Sequence, residues 1–268
     1  MSEPTVPLRF ELTVEVPGSP EQVWDAIATA NGISAWMLPT EMQERLGGTV
    51  VFHMGDDVSS KGVITGWDPP RRIVYEEDWA TLAGQDPTTV TPLVSEFLVE
   101  AKSGGTCVVH VVSSAFGSGA DWEREFFTDM SKGWAPTFEH LRLYLTYFAG
   151  QRVTTLEVSA DLPGSPAEVV NAMRDGLGIE RAGQGVNARG VTGQVERVGD
   201  ENVLLRVTDP VPGVLALSAW PAEEQDKSSA RVAGYLFSDG ALAYVERERP
   251  AWKAWLESLV PAGARSGG

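Results

Sequence analysis

Cysteine is almost missing: Cys107 stands alone in 268 residues, so neither an internal disulfide nor a thiolate metal cluster can form. Histidine is scarce as well. His53, His110 and His140 fall at no helical or strand spacing that would let two of them share a metal, and no HExxH pattern occurs, so no metal site is expected. There is no run of uncharged apolar residues long enough to span a bilayer, which takes about 18 or more. Met1 to Pro7 lack both a basic patch and an apolar stretch, so no secretory leader is expected, and the cytoplasm is the expected compartment. Basic residues are few, 21 Lys+Arg against 37 Asp+Glu. The net charge of −16 is concentrated in residues 1–150, which hold 9 Lys+Arg against 21 Asp+Glu. Such a surface repels nucleic-acid phosphates and anionic lipid heads, so neither is an expected partner, and its plain meaning is solubility. No phosphate loop, GxGxxG or GxSxG elbow appears, Gly117-Ser118-Gly119 being too short, so no cofactor is expected and no catalytic residue stands out.

What is present is the composition of a globular protein, 43% apolar and 22% charged, arranged as a repeat. Pro17-Gly18-Ser19-Pro20 recurs as Pro163-Gly164-Ser165-Pro166, and at the same offset Val23, Ala26 and Gly32-Ile33 match Val169, Ala172 and Gly178-Ile179. A period this long means duplicated domains, here 1–150 and 151–268, rather than a solenoid. Leu8, Phe10, Leu12, Val14 and Val16 alternate with polar residues, as in a half-buried strand. Ser19 then caps a helix, with Pro20 in its first turn and Gln22 completing a capping box, and Ser165, Pro166 and Glu168 repeat the device.

A short second helix is expected around Gly32 to Leu38. Strands are expected at 49–54, 61–67, 72–79, 92–100 and 106–114, separated by the turns Gly55-Asp56-Asp57, Asp68-Pro69-Pro70 and Ser103-Gly104-Gly105 and by a longer loop at 81–91. Links this short make an antiparallel meander. From Asp121 to Phe148 the residues Phe127, Met130, Trp134, Phe138, Leu141 and Leu145 form one apolar helical stripe, with Pro136 expected to kink or break it. Pro250, Trp252, Trp255 and Leu259 repeat the end of that pattern, so the second copy is a shortened one, its missing length expected in the middle.

The series Ser19-Pro20-Glu21-Gln22-Val23-Trp24-Asp25-Ala26, Trp36, Gly47-Gly48, Gly62, Asp68-Pro69-Pro70-Arg71-Arg72-Ile73-Val74-Tyr75, Gly105-Thr106 and Gly133-Trp134 resembles the domain named after the activator of the heat-shock chaperone ATPase, within the START/SRPBCC superfamily. The resemblance covers about residues 8–148, with 151–268 as a degenerate second copy. It implies an α+β fold: tandem helix-grip (START-like) domains, each a curved antiparallel sheet wrapped on a long C-terminal helix with a cavity between them. The shortened second copy, with Trp220, Trp252 and Trp255 in less chain, is expected to have a filled core, which leaves the ligand cavity to the first. It implies no chemistry, since the superfamily includes carriers, polyketide cyclases and chaperone regulators. The chaperone-binding domain that the eukaryotic co-chaperones carry upstream has no counterpart in these 268 residues, so chaperone regulation is not the expected role.

Six of the nine tryptophans lie in the first copy, a supply of flat apolar surface suited to a small hydrophobic ligand. The candidate ligand-binding residues are Trp36, Phe52, Trp67, Tyr75, Glu77, Trp79, Phe97, His110, Met130 and Trp134. Strand alternation groups Tyr75, Glu77 and Trp79 on one face, and aromatic identity turns that face inward, which would carry Glu77 into a low-dielectric site unless it reaches solvent at the rim. Binding of a small hydrophobic molecule without defined catalysis is the expected function. A cyclase- or hydrolase-like enzyme using a cavity carboxylate or tyrosine is the alternative, and a chaperone or other protein-interaction module a third. Cys107, in a strand with Val108, Val109, Val111 and Val112, is expected as a buried small side chain, and no nucleophile pair with His110 is expected, because a three-residue step puts the two on opposite strand faces. Ligand identity and oligomeric state are left open.

Overall fold

The computed structural model describes residues 6–55, 58–222, 224 and 226–259. Asp56 and Asp57, expected in a turn, lie outside these. The chain divides into two compact units, Met1–Gly150 and Gln151–Gly268.

The first unit opens with β1 (Val6–Pro17), whose side chains alternate between buried or half-buried and exposed. Helices α1 (Pro20–Ala28) and α2 (Ala30–Ser34) follow. In α1 the Ser19 Oγ accepts from the Gln22 amide while Gln22 Oε1 accepts from the Ser19 amide, which satisfies two of the donors a helix start leaves free. The meander is β2 (Thr40–Met42), β3 (Thr49–Gly55), β4 (Val58–Asp68) and β5 (Arg72–Glu77). After α3 (Trp79–Leu82) and a 3-10 turn (Pro87–Thr89) it resumes with β6 (Leu93–Lys102) and β7 (Thr106–Gly117). The seven strands form one antiparallel sheet in the order β1-β7-β6-β5-β4-β3-β2.

Alternation decides which residues fill the unit. On β7 Cys107, Val109, Val111, Ser113 and Ala115 are buried, as are Leu93, Ser95, Phe97 and Val99 on β6. The opposite face carries polar pairs: Arg9 with Glu11, Lys102 with Glu15, Arg72 with Glu96. The closing helix α4 (Asp121–Tyr147) lays Phe127, Trp134 and Phe138 against the buried face. Contrary to expectation, α4 runs unbroken through Pro136. The carbonyl that loses its partner there belongs to Lys132, which is exposed and can be hydrated, while Trp134 before the proline packs on Phe97 of the sheet and Phe138 after it stacks on Trp134 and Trp36.

The second unit repeats the scheme with fewer parts: β8 (Thr154–Pro163), α5 (Pro166–Leu177), β9 (Gly185–Ala188), β10 (Val191–Val198), β11 (Asn202–Asp209), β12 (Gly213–Pro221), β13 (Lys227–Leu236) and α6 (Ala241–Ser258), with sheet order β8-β13-β12-β11-β10-β9. Ser165 and Glu168 rebuild the capping box. Among the described residues, nothing in this unit corresponds to α2 or α3, and α6 has 18 residues where α4 has 27. The shortening is therefore spread over the middle and the start of the closing helix. Alternate residues of its strands, such as Leu156, Val195, Leu205, Leu215 and Val232, pack with Val169, Met173, Trp252 and Leu256 of its helices into one core. Both units are antiparallel sheets closed by a long helix, the tandem helix-grip arrangement.

Candidate functional site

The inner face of the first sheet holds a row of rings. Phe52 of β3 reaches Tyr75 of β5 at 5.4 Å, Tyr75 stacks on Phe97 of β6 at 5.8 Å, and Phe97 meets the edge of Trp134 from α4 at 5.9 Å. Trp134 stacks on Phe138 at 5.1 Å, and Phe138 on Trp36 at 6.0 Å. Phe52 and Tyr75 meet although β4 lies between their strands: on β4 Phe52 pairs with Ser60 and Tyr75 with Ile64, and the inner-face position between those two is Gly62. Among the described residues the middle of the concave face is thus occupied by aromatic rings. A second group forms around Trp79, whose ring lies 4.9 to 5.3 Å from those of Trp122, Phe126 and Phe127 and whose Nε1 donates to the Thr91 carbonyl at 2.9 Å. Met130 packs beside this group.

Glu77 sits between the two groups. It ends β5 on the face of Tyr75, and its Oε1 accepts from the Ser60 hydroxyl at 2.5 Å, the one side-chain hydrogen bond it makes among the described residues. No cation pairs with it there, and burial pushes its carboxyl up to about 7 against the opposing pull of Ser60. The neighbouring Tyr75 hydroxyl is pushed well above its ordinary range, first by burial and then by the Glu77 charge. Gly62 faces Glu77 across β4 and β5; a Cβ there would lie 3.0 Å from the Glu77 Cγ and 2.5 Å from the Glu76 carbonyl oxygen, so the strand needs glycine to admit the carboxyl. Beside them opens a groove of about 550 Å³, continuous with solvent, lined by Gly62, Glu77, Trp79, Val90 and Thr91 and also by the charged Lys61 and Glu76. Its size is that of a small-molecule site.

The ten sequence candidates separate accordingly. Trp36, Phe52, Tyr75, Phe97 and Trp134 join the central row, Trp79 and Met130 the second group, and Glu77 the floor of the groove. Trp67 turns instead to Trp24 of α1 at 5.0 Å, after an irregularity in β4 between Ile64 and Gly66. His110 is a correction: it lies on the outer face, where its Nδ1 is 3.1 Å from the Thr13 hydroxyl and its Nε2 3.4 Å from Glu100. The reason is parity, because Val109 and Val111 on either side of it are fully buried. Trp79 also departs from the sequence reading, lying in α3 and not in a strand, so that the shared face ends at Glu77. Ser60, Gly62, Val90 and Thr91 were not foreseen. A glycine inside a strand next to a carboxylate-bearing strand was a usable signal for Gly62; Val90 and Thr91 carry none, since a loop folds them over the sheet. Among the described residues no group of His, Cys, Asp and Glu could hold a metal ion, and no helix is long and apolar enough to cross a membrane.

Comparison with known proteins places this geometry. Residues 17–146 match the family model described as activator of Hsp90 ATPase homolog 1-like protein. No curated protein matches the chain. Among solved structures, the Aha1 dimer from Colwellia psychrerythraea is 18% identical, over 52% of this chain and 97% of that one, with a TM-score of 0.43. Two structures align along nearly the full length. DynU16 from the dynemicin biosynthetic locus is 14% identical over 92% of this chain and 95% of its own, TM-score 0.43. The di-domain ARO/CYC BexL from the BE-7585A biosynthetic pathway is 12% identical over 94% of each, TM-score 0.44. At such values these likenesses fix no chemistry. Residues 17–146 are a domain of the activator of Hsp90 ATPase homolog 1-like family, in the START-like superfamily, and a second, shorter helix-grip unit follows it.

Proposed function

We propose that the first unit binds a small hydrophobic molecule and that the groove beside Glu77 receives it. The observation that carries this reading is the carboxyl of Glu77, held without a cation at the floor of a groove whose other walls include Trp79 and Val90. A half-buried carboxyl with no cation beside it is costly, and groups perturbed in this way cluster at functional sites. The aromatic groups on both sides offer flat apolar surface, while a groove in the second unit, among the turn residues at the start of α5, is smaller at about 330 Å³. Binding without reaction is the reading favoured, since the one hydroxyl bonded to Glu77 among the described residues, that of Ser60, is itself buried and donates its proton to the carboxyl. A cyclase- or hydrolase-like reaction is the second reading, supported by a carboxyl pushed to about 7, a value suited to proton transfer near neutrality. Native mass spectrometry of protein purified from its own host tests both. A retained apolar molecule supports binding; turnover of that molecule by fresh protein supports the enzyme; a consistently empty protein that also binds no apolar dye would defeat the first reading.

A further inference from the structure

We propose that the group recognised at the bottom of this groove is a neutral hydrogen-bond acceptor, a ketone, quinone or ester carbonyl on an aromatic body, and that the proton on Glu77 Oε2 is what it receives. This rests on the groove being the ligand site. The donor pattern is set by Ser60, whose hydroxyl gives its proton to Oε1. With Ser60 donating to Oε1, Oε2 is the carboxyl oxygen that no side chain engages among the described residues, and a proton carried there is free for a ligand. Burial without a cation keeps the proton in place up to about pH 7.

The charged groups around Glu77 do not alter the assignment. Lys61 and Glu76 flank the groove from β4 and β5 but alternate onto the other face of their strands, and Asp78 is committed to the Thr81 amide and hydroxyl as the cap of α3. On β6 the partner of Glu77 is Leu93, which cannot ionise, and Tyr75 holds its proton throughout. In the segment between α3 and β6, Asp86 is exposed and bonded to Thr88. A cationic head group would need an ionised Glu77 to neutralise it, whereas a carbonyl uses the proton of the neutral acid and leaves its apolar remainder to Trp79 and Val90.

Three naphthalenes of one size separate the possibilities: 2-acetylnaphthalene, 2-ethylnaphthalene and 1-(2-naphthyl)ethylamine. Each is titrated into the full chain at pH 6.0 and pH 8.5, with near-ultraviolet circular dichroism checking the fold. The ketone should bind at least fivefold more tightly than the hydrocarbon at pH 6.0, and the advantage should vanish at pH 8.5. Glu77→Gln, which keeps an N–H donor, should retain the ketone preference and lose its pH dependence; Glu77→Leu should lose the preference and keep the hydrocarbon. Equal binding of ketone and hydrocarbon at both pH values overturns the head-group assignment while leaving the apolar site standing. An amine that binds best at pH 8.5 overturns it in favour of a cation receptor. Failure of all three to bind overturns the ligand site itself.

Discussion

Glu77, half-buried, and His140, buried, are two titratable side chains whose desolvation makes stability depend on pH in opposite directions. Glu77 is raised from its ordinary range to about 7, so the folded state holds its proton more tightly than the unfolded chain does. Its contribution is present in full below about pH 4.5 and is lost as pH rises through 7. Glu77→Gln removes the cost of the buried charge. Urea denaturation should find this variant more stable than the parent at pH 8, by on the order of 2 kcal/mol, and about equal to it near pH 4.5. His140, on α4, is pushed down to about 3 by burial, against the opposing effect of its bond to the Trp36 backbone. Its neutral form stabilises the fold above about pH 6.5, and the contribution is lost as pH falls toward 3, at about 1.4 kcal/mol per pH unit. A His140→Gln variant, which can still donate a hydrogen bond, should show a shallower acid slope over that window. Trp134 touches Phe10, Phe97 and Phe138 yet is only half-buried. Trp134→Ala should cost about 3 kcal/mol, the low end for deleting a large aromatic, and should open the ring row so that apolar dyes bind with less selectivity.

At the scale of elements, the helix starts and the β4–β5 pair make separate demands. Each capping box satisfies donors that would otherwise face water at a helix end, so Ser19→Ala and Ser165→Ala should each lower stability by about 1 kcal/mol in chemical denaturation, without affecting binding. Gly62 behaves differently. The Cβ of a Gly62→Ala variant would press on the Glu76 carbonyl and the Glu77 side chain, so a cost of about 1–3 kcal/mol should come with loss of ligand binding in the same titration. Retained binding in a destabilised Gly62→Ala protein would move the site away from Glu77. Both capped helices were legible in the sequence because a cap is a matter of three or four consecutive residues. The placement of α3 was not, since Trp79 continues the alternation of β5 until Asp78 caps a new helix and turns the chain.

The whole molecule carries a net charge of −16, and five of the six arginines of its first unit are ion-paired within it. Arg9, Arg71, Arg72, Arg124 and Arg142 each pair with a nearby carboxylate. A stable complex usually buries on the order of 1,600 Å² around aromatic or arginine anchors, and arginines already engaged make poor ones. We expect no stimulation of a heat-shock chaperone ATPase, despite the name of the family. Steady-state ATP hydrolysis by the chaperone of the same host should be unchanged with this protein in excess, and a saturable several-fold rise would restore the chaperone-regulator reading.

The sequence by itself determined the duplicated plan, the strand-to-capped-helix start of each unit, the meander and the apolar stripe of the closing helix. All of these follow from hydrogen bonds and periodicities within a few residues, which a chain displays before it folds. It also held the means to place His110 outside, since a buried Cys107 three residues earlier forces it there. Tertiary structure alone decided that rings from β3, β5, β6 and α4 meet in one row, that Trp67 joins α1, and that Ser60, Gly62 and Thr91 surround Glu77. Desolvation is the physical reason. Whether a strand carboxylate reaches water or loses it depends on what distant segments lay over it, and no local pattern in the chain records that.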